Sequence, residues 1–181
     1  MQSRRDALEF ALLGLLAEGP LHGYELRRRL TAVLGPFRAL SFSVIYPQLR
    51  RMVETGLITE SEENKDSNLS RRKRIVYQIT KSGLVRFSDL IGKSDAKSWD
   101  DEFFEVHFAF FGPTPIATRL RILEGRWRRL KDKAEMLRSE IETGAGSMSA
   151  YSSEYKRHKL EVIEREIEWI ETMLTTERDS K

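Results

Sequence analysis

Hydrophobic residues in the first part of the chain recur at helical spacing in three successive segments. Apolar positions at steps of three and four residues predict helices at 6–17, 21–34 and 41–55. Gly19-Pro20 and Gly35-Pro36 interrupt this spacing and end the first two helices. Gly56 suits the position just past the third helix, where a left-handed residue is common. The pattern therefore predicts three consecutive helices with short connections.

The spacing then changes to the alternation of a strand. Residues 57–60 predict one strand and residues 72–80 a second, with a polar, turn-rich stretch between them. These features predict a β-hairpin with a long tip. Thr80 is placed to cap a short helix at 81–91. Three helices, a hairpin and a helix form the order of a winged helix-turn-helix, so we predict that residues 1–92 are one domain.

The second half returns to helical spacing. Residues 92–98 predict a linker, and Ser98 with Asp101 resembles a cap for the next helix, which carries five phenylalanines. Thr114 and Pro115 predict the N-cap and the first residue of another helix.

A heptad seam of apolar residues follows each of two long helices predicted in the last third of the chain. The first seam steps by four and three residues from Ile116 to Ile141, and the second helix covers about 154–177. Two such helices can lie antiparallel, and the apolar surface left over calls for a partner chain. Residues 99–178 are therefore predicted to be a helical dimerisation and effector domain. The predicted dimer contacts are Leu120, Leu123, Trp127, Leu130, Leu160, Ile163, Ile167, Ile170 and Leu174.

Together these elements predict a mainly α fold with a small β-hairpin wing. A winged helix-turn-helix comes first, and long antiparallel helices follow. In a helix-turn-helix the second helix of the pair enters the major groove with its N-terminal residues facing base edges. Serine and arginine side chains at that end can donate to phosphates or bases. Four consecutive basic residues also begin the second hairpin strand, where alternate side chains share a face.

The candidate DNA contacts follow from this placement. They are Tyr24, Ser41, Ser43, Tyr46, Pro47, Arg50, Arg51, Lys65, Asn68, Arg71, Arg72, Lys73 and Arg74. The alternative for the helix is a solvated surface, and for the hairpin a charged edge strand that discourages aggregation.

Pro47 stands near the start of the third predicted helix, directly after Tyr46. With Ser43 as the N-cap, Pro47 would be the fourth helical residue and would forfeit at most one backbone hydrogen bond. Proline also disfavours helical geometry at the preceding residue. The hypothesis from this pair is that Pro47 aims the Tyr46 ring at the DNA backbone or at a base edge.

Charge and composition narrow the function classes. Residues 1–90 hold 15 Lys and Arg against 10 Asp and Glu, whereas residues 91–181 hold 16 against 18. A basic first half is typical of a nucleic-acid module joined to a partner module. The chain has no cysteine, which removes disulfides and thiolate chemistry. Because no apolar run reaches the roughly 18 residues of a membrane span, we expect a cytoplasmic protein with no membrane partner.

No residue pattern typical of a catalytic or metal site is found in the sequence. His22, His107 and His158 lie in different predicted elements, with no second ligand at a usual spacing. Nucleophile motifs and phosphate-binding loops are also missing. We therefore expect no enzyme activity, no metal and no cofactor.

Aromatic residues of the second half are candidates for an effector pocket. Large flat rings near a dimer seam can bound a cavity for an aromatic ligand, or they can simply fill the interior. The candidate residues are Phe104, His107, Phe108, Phe111, Trp127 and Trp169.

Three blocks of the sequence resemble the PadR family of bacterial transcriptional regulators. The first is LLGLLAEGPLHGYELRRRL, residues 12–30, where His22-Gly23-Tyr24-Glu25-Leu26 matches the core of a family motif. The second is SVIYPQLRRMVETGLI, residues 43–58, and the third is RRKRIVYQITKSGLVRF, residues 71–87. Met52 stands where the family more often has leucine, a change that conserves volume. The second half is similar only in layout to the longer-tailed members, whose C-terminal helices make the dimer.

The resemblance implies a homodimeric regulator, usually a repressor, on a pseudo-palindromic double-stranded DNA operator. Relatives respond to phenolic acids, drugs or other aromatic compounds, which implies a small aromatic effector. It supports helix three and the basic wing as DNA contacts and maps no ligand site. The alternative hypothesis is a winged-helix protein-interaction module without sequence-specific DNA binding.

Overall fold

A computed structural model describes residues 2–34, 42–63, 74–144 and 149–179. Within these ranges the chain is mainly helical with one small antiparallel sheet, which confirms the predicted fold class. The elements in chain order are α1 (Gln2–Ala17), β1 (Leu21–His22), α2 (Gly23–Leu34), α3 (Phe42–Glu54), β2 (Ile58–Glu63), β3 (Arg74–Ile79), α4 (Lys81–Ile91), α5 (Asp101–Ala109), α6 (Ile116–Gly144) and α7 (Ala150–Asp179). None of the described helices is long and apolar enough to cross a membrane.

The chain divides into two compact units. The first contains the residues up to Lys93 together with Asp101–Thr114. The second contains Ser94–Asp100 together with the residues from Pro115 onward. The first unit thus holds the winged-helix elements and α5, and the second holds α6 and α7.

Helix α5 differs from its predicted place. The sequence assigned it to the domain at 99–178, whereas the structure packs it against α1 and α2 in the first unit. The reason is its apolar face, because Phe103, Val106 and Phe110 are buried in the same core as α1. Burying the large side chains of Phe103 and Phe110 is favourable, and α1 provides an apolar partner for both.

Helix α1 lies at the centre of that core. Its middle residues are fully buried, as expected for a helix that is apolar on nearly all sides. The ring of Phe10 packs against Phe87 of α4 and Phe110, with centroids 6.0 and 5.9 Å apart. The core therefore joins elements from both ends of the first unit.

The sheet has three strands in the order β1-β3-β2. The predicted hairpin is present, with Ile58 opposite Ile79. The prediction missed β1 and instead began the second helix at Leu21. In the structure Leu21 and His22 pair with β3, opposite Tyr77 and Val76, and α2 begins only after them.

Helix α3 begins before the predicted N-cap. Since the helix covers Phe42–Glu54, Ser43 lies inside it, and Pro47 is the sixth helical residue rather than the fourth. The N-cap prediction for Ser43 is therefore wrong. Proline at this position still forfeits only the bond to the Ser43 carbonyl, near the helix start.

The end of α3 follows the prediction. Gly56 has a left-handed φ of 69°. Its N–H donates to the Val53 carbonyl at 3.0 Å, and the N–H of Leu57 donates to Met52 at 2.9 Å. These two bonds form a Schellman motif, which ends the helix and turns the chain into β2.

The start of α4 also follows the prediction. The side-chain oxygen of Thr80 accepts from the N–H of Gly83 at 3.1 Å, which confirms Thr80 as the N-cap. Its hydroxyl donates to the Gly56 carbonyl at 2.7 Å. One residue thus joins the end of α3, the end of β3 and the start of α4.

Two other predicted caps are wrong. Ser98 is buried, and its hydroxyl donates to Asp95 Oδ1 at 3.2 Å instead of capping α5. The Thr114 hydroxyl donates to the Phe110 carbonyl at 2.7 Å, and the Pro115 carbonyl accepts the first helical bond of α6. In both cases the serine or threonine closes the preceding turn, a competing use of its side chain.

The second unit is built from α6 and α7, which lie antiparallel and contact each other extensively. The seams predicted for dimerisation mainly pair these two helices within one chain. Five of the nine predicted contacts are already buried there: Leu123, Leu130, Ile167, Ile170 and Leu174. The other four, Leu120, Trp127, Leu160 and Ile163, are partly buried. A heptad pattern demands a partner helix, and here the same chain supplies it.

Candidate nucleic-acid interface

Helix α3 presents one apolar and one polar face. Ile45, Leu49 and Met52 are fully buried against the core. The opposite face is exposed and carries the candidate contacts of this helix that lie within the described residues: Ser43, Tyr46, Pro47, Arg50 and Arg51. The structure therefore brings the predicted helix-three residues within the described range onto one surface. Sequence reasoning missed Val44, whose apolar side chain is 46% exposed.

The field on this surface is mixed in sign. Glu60 of β2 is exposed and pairs across the sheet with Tyr77, which is buried. Burial raises the pKa of the Tyr77 hydroxyl, the Glu60 carboxylate and Tyr46 raise it further, and the Arg50 guanidinium lowers it. Arg50 and Glu60 thus act on the same group. The surface is less positive than a count of arginines suggests.

Helix α2 adds an exposed aromatic residue and a set of ion pairs. Tyr24, in its first turn, is 69% exposed. Glu25 accepts from Arg29 Nε at 2.9 Å and from Arg28 Nη2 at 2.8 Å. The hydrogen bond from Arg29 holds the pKa of Glu25 below its usual value. Because these two arginines are already paired, α2 contributes less free positive charge than its sequence indicates.

Other candidate contacts lie outside the described residues. Ser41 falls in one gap. The hairpin tip, with Lys65 and Asn68, falls in another, together with the basic residues that precede β3: Arg71, Arg72 and Lys73. Arg74 opens β3 opposite Glu63, and its side chain also lies outside the described part. Contact between the wing and DNA therefore stays a prediction.

The candidate effector residues are distributed over both units. His107 is buried, and its ring meets Phe10 edge-on with centroids 4.8 Å apart. Phe108 is half-buried, with its ring 6.0 Å from Phe104 and 5.0 Å from Phe111. These four residues belong to the first unit and, apart from Phe108, pack as interior.

The two tryptophans belong to the second unit. Trp127 donates from Nε1 to Glu171 at 2.8 Å and lines a shallow groove of about 380 Å³ with Leu174 and Arg178. Trp169 on α7 is 40% exposed. The six residues predicted to form one pocket are thus divided between the two units, with three phenylalanines and His107 in the first and two tryptophans in the second.

The match to a family model concerns the first unit. Residues 12–89 match the model of the transcriptional regulator PadR-like family. The match covers less than half of the chain, so this domain is similar to the PadR-like family. A curated PadR relative is the negative transcriptional regulator PadR of Bacillus subtilis (strain 168), 33% identical over 82 residues. The alignment covers 45% of this chain and 43% of the relative, so it spans less than half the length of that protein. The matched family model describes transcriptional regulators.

Solved structures of transcriptional regulators are also similar to this chain. Bacillus subtilis PadR in complex with operator DNA is 25% identical, over 92% of this chain and 97% of that one, with a TM-score of 0.43. The regulator TA0346 from Thermoplasma acidophilum is 26% identical, over 49% of this chain and 81% of that one, with a TM-score of 0.44.

Proposed function

We propose that the chain is a sequence-specific DNA-binding transcriptional regulator of the repressor type, acting as a homodimer on a pseudo-palindromic operator. The observation that carries this proposal is the exposed polar face of α3 within a PadR-like domain. In the helix-turn-helix arrangement that face would enter the major groove, with the first turn of α2 near the phosphate backbone. The relative's name, a negative regulator, supports repression.

The side chains of α3 suit both kinds of DNA contact. Arg50 and Arg51 can pair with guanine through two donors or neutralise phosphates. Ser43, one turn earlier, can donate to a phosphate oxygen or a base. Glu60 nearby adds a negative charge, which disfavours phosphate at its own position and helps to fix the register.

Dimerisation would use the surface that α6 and α7 leave uncovered. The exposed apolar residues of α7 are Tyr151, Tyr155, Val162 and Trp169, at 89, 59, 46 and 40% exposure. They follow one another by four, seven and seven residues, so they form a second heptad stripe on the outer side of the helix. A second copy packed on this stripe would set the spacing of the two reading helices near one turn of DNA, about 34 Å.

Release by a small aromatic molecule completes the proposal. It is supported by the family resemblance and by the half-buried Phe108 ring between two others. Titrating a protein–duplex complex with p-coumaric acid tests it: release of the duplex supports the effector role, and unchanged binding over the titration argues against phenolic acids.

Selection from a random-sequence pool of duplexes tests the main function. The full-length protein should enrich one sequence with inverted half-sites, which a gel shift then confirms against a scrambled duplex. Light scattering on the pure protein should give a dimer mass. Enrichment of no sequence, together with a complex containing another protein after pull-down, would favour the protein-interaction module instead.

A further inference from the structure

Gly23, the first residue of α2, is buried although its backbone does not require glycine. The described glycines with positive φ are Gly19 and Gly56, and Gly23 is not among them. Alanine would therefore fit the local conformation and would favour the helix more than glycine does. Another reason must keep this position without a side chain.

The space beside Gly23 is taken by Tyr46 of α3. A Cβ at position 23 would lie 3.2 Å from Tyr46 Oη, 3.4 Å from Cε1 and 3.6 Å from Cζ. The hydroxyl end of the ring is thus seated on the backbone of α2. An alanine here would push this ring by a few tenths of an ångström.

This contact lies where three elements meet. His22, just before Gly23, is paired with Val76 of β3, so the start of α2 is tied to the sheet. Tyr77, the next residue of β3, is close enough for Tyr46 to influence its hydroxyl electrostatically. On α3 itself the neighbour Ile45 is fully buried and anchors the helix in the core. The Tyr46 ring therefore lies where α3 meets both α2 and the wing strand β3.

We propose that Tyr46 is a positioning residue whose seat is Gly23. The ring sets the distance and rotation between α2 and α3, and so the angle at which Ser43, Pro47 and Arg50 meet DNA. This role replaces the hypothesis that Pro47 aims Tyr46 at a base or phosphate. The inference rests on the proposed function and names residues that determine how α3, the helix proposed to contact bases, is positioned.

Replacing Gly23 by alanine tests the seat. The probe is the duplex that the full-length wild type selects from the random pool, with Kd measured by fluorescence anisotropy. Gly23→Ala should raise Kd about two- to tenfold, the effect of a side chain forced off its rotamer. Its unfolding midpoint by circular dichroism should stay equal or rise. A fall in that midpoint would assign the loss to folding and overturn the inference.

Gly112→Ala is the matched control. Gly112 is exposed and lacks a positive φ, and a Cβ there would meet nothing within 4 Å. Its Kd should equal that of the wild type. An equal loss of affinity in both variants would show a general effect of adding a methyl group and would overturn the inference.

Removing the hydroxyl oxygen of Tyr46 tests whether the Gly23→Ala variant loses affinity because it displaces this ring. Oη is the Tyr46 atom nearest to the added methyl group, and Tyr46→Phe deletes it. In the Tyr46→Phe background, Gly23→Ala should therefore raise Kd by a clearly smaller factor than in the wild type. The same factor in both backgrounds overturns the inference.

Different outcomes overturn the proposed function and the seating of Tyr46 on Gly23. A wild type that selects no duplex overturns the proposed function, and this inference with it. A wild type that selects a duplex, while Gly23→Ala binds it equally well, overturns the inference alone.

Discussion

Arginine has contrasting environments in the two units. Arg126 of α6 is 6% exposed. It donates to Glu166 of α7 from Nε and Nη2 at 2.9 and 2.6 Å, and from Nη1 to the Trp99 carbonyl at 3.2 Å. Arg50 and Arg51 of α3 are exposed on a helix face. The same residue type thus holds three segments together in one unit and faces solvent in the other.

The difference teaches which arginines to expect at a binding surface. A charge removed from water is costly unless it is paired, so Arg126 must keep its partners in every functional state. An exposed arginine adds little to stability and is available to phosphate or guanine. Burial and partners, rather than residue type, therefore separate the structural arginines from the candidate DNA contacts.

The largest effect is expected from replacing Arg126, the buried arginine. Arg126→Met should lower the free energy of unfolding by about 2–4 kcal/mol, because it leaves the Glu166 carboxylate and the Trp99 carbonyl without their donor. All three tryptophans lie in the second unit, so tryptophan fluorescence in a urea titration reports this unit.

Arg128→Met on the same helix is the control, because Arg128 is exposed. Its unfolding midpoint should stay close to that of the wild type, with the free energy of unfolding changed by no more than about 0.5 kcal/mol. Equal midpoints for the two variants would mean that the buried pair contributes nothing to the stability of the second unit.

Replacing an exposed arginine of α3 should change the affinity for DNA rather than the stability of the protein. Arg50→Ala should weaken binding of the selected duplex by about 1–3 kcal/mol, since the proposed paired contact with a base is lost. Arg50→Lys keeps the charge but loses the planar pair of donors, so its affinity should lie between those of the wild type and Arg50→Ala. Anisotropy gives the affinities and circular dichroism the unfolding midpoints. A large loss of stability with unchanged affinity would place Arg50 with the structural arginines.

A smaller effect is expected for a single basic residue of the wing. Arg72→Gln should reduce the slope of log K against log salt by about 0.9, the value for one phosphate contact. The loss should be similar for the selected and the scrambled duplex, because phosphates carry no sequence. The slope is measured between about 50 and 200 mM salt, where affinity depends strongly on salt. An unchanged slope would mean that Arg72 does not contact DNA.

Local signals explain what the sequence predicted well. Thr80 and Gly56 act within one turn of their own helices, and both caps were predicted correctly. The pairing of β1 could not be predicted in this way. Leu21 pairs with Tyr77, which is distant in sequence, and a strand of two residues is too short to show a periodic pattern. The seat of Tyr46 on Gly23 is equally non-local, and glycine in a helix is the only trace of it in the sequence.

The long helices show a different limit. Their heptad pattern predicted both helices and their antiparallel pairing, but a pattern cannot say which chain covers a seam. Ile167 and Leu130 were predicted to meet a second copy, and the structure buries them within one chain. The outer stripe of α7 was overlooked because Tyr151 and Tyr155 lie at its polar end, where periodicity is weak.

The smallest effect is expected in the pH dependence of stability, which tests whether Arg50 lies near Tyr77. The pKa of Tyr77 is raised above its ordinary value of 10.0, chiefly by burial, and Arg50 opposes the rise. The unfolded tyrosine ionises first, so its contribution to stability is complete below pH 10 and is lost as pH rises through the folded pKa. Tyr77→Phe should remove this alkaline loss. Arg50→Ala should extend it to higher pH, because the opposing charge is gone. Unfolding midpoints between pH 9 and 11, set around the ordinary tyrosine pKa of about 10, measure both. An alkaline loss that Arg50→Ala leaves unchanged would mean that Arg50 points away from Tyr77, wholly towards the solvent side that DNA is proposed to occupy.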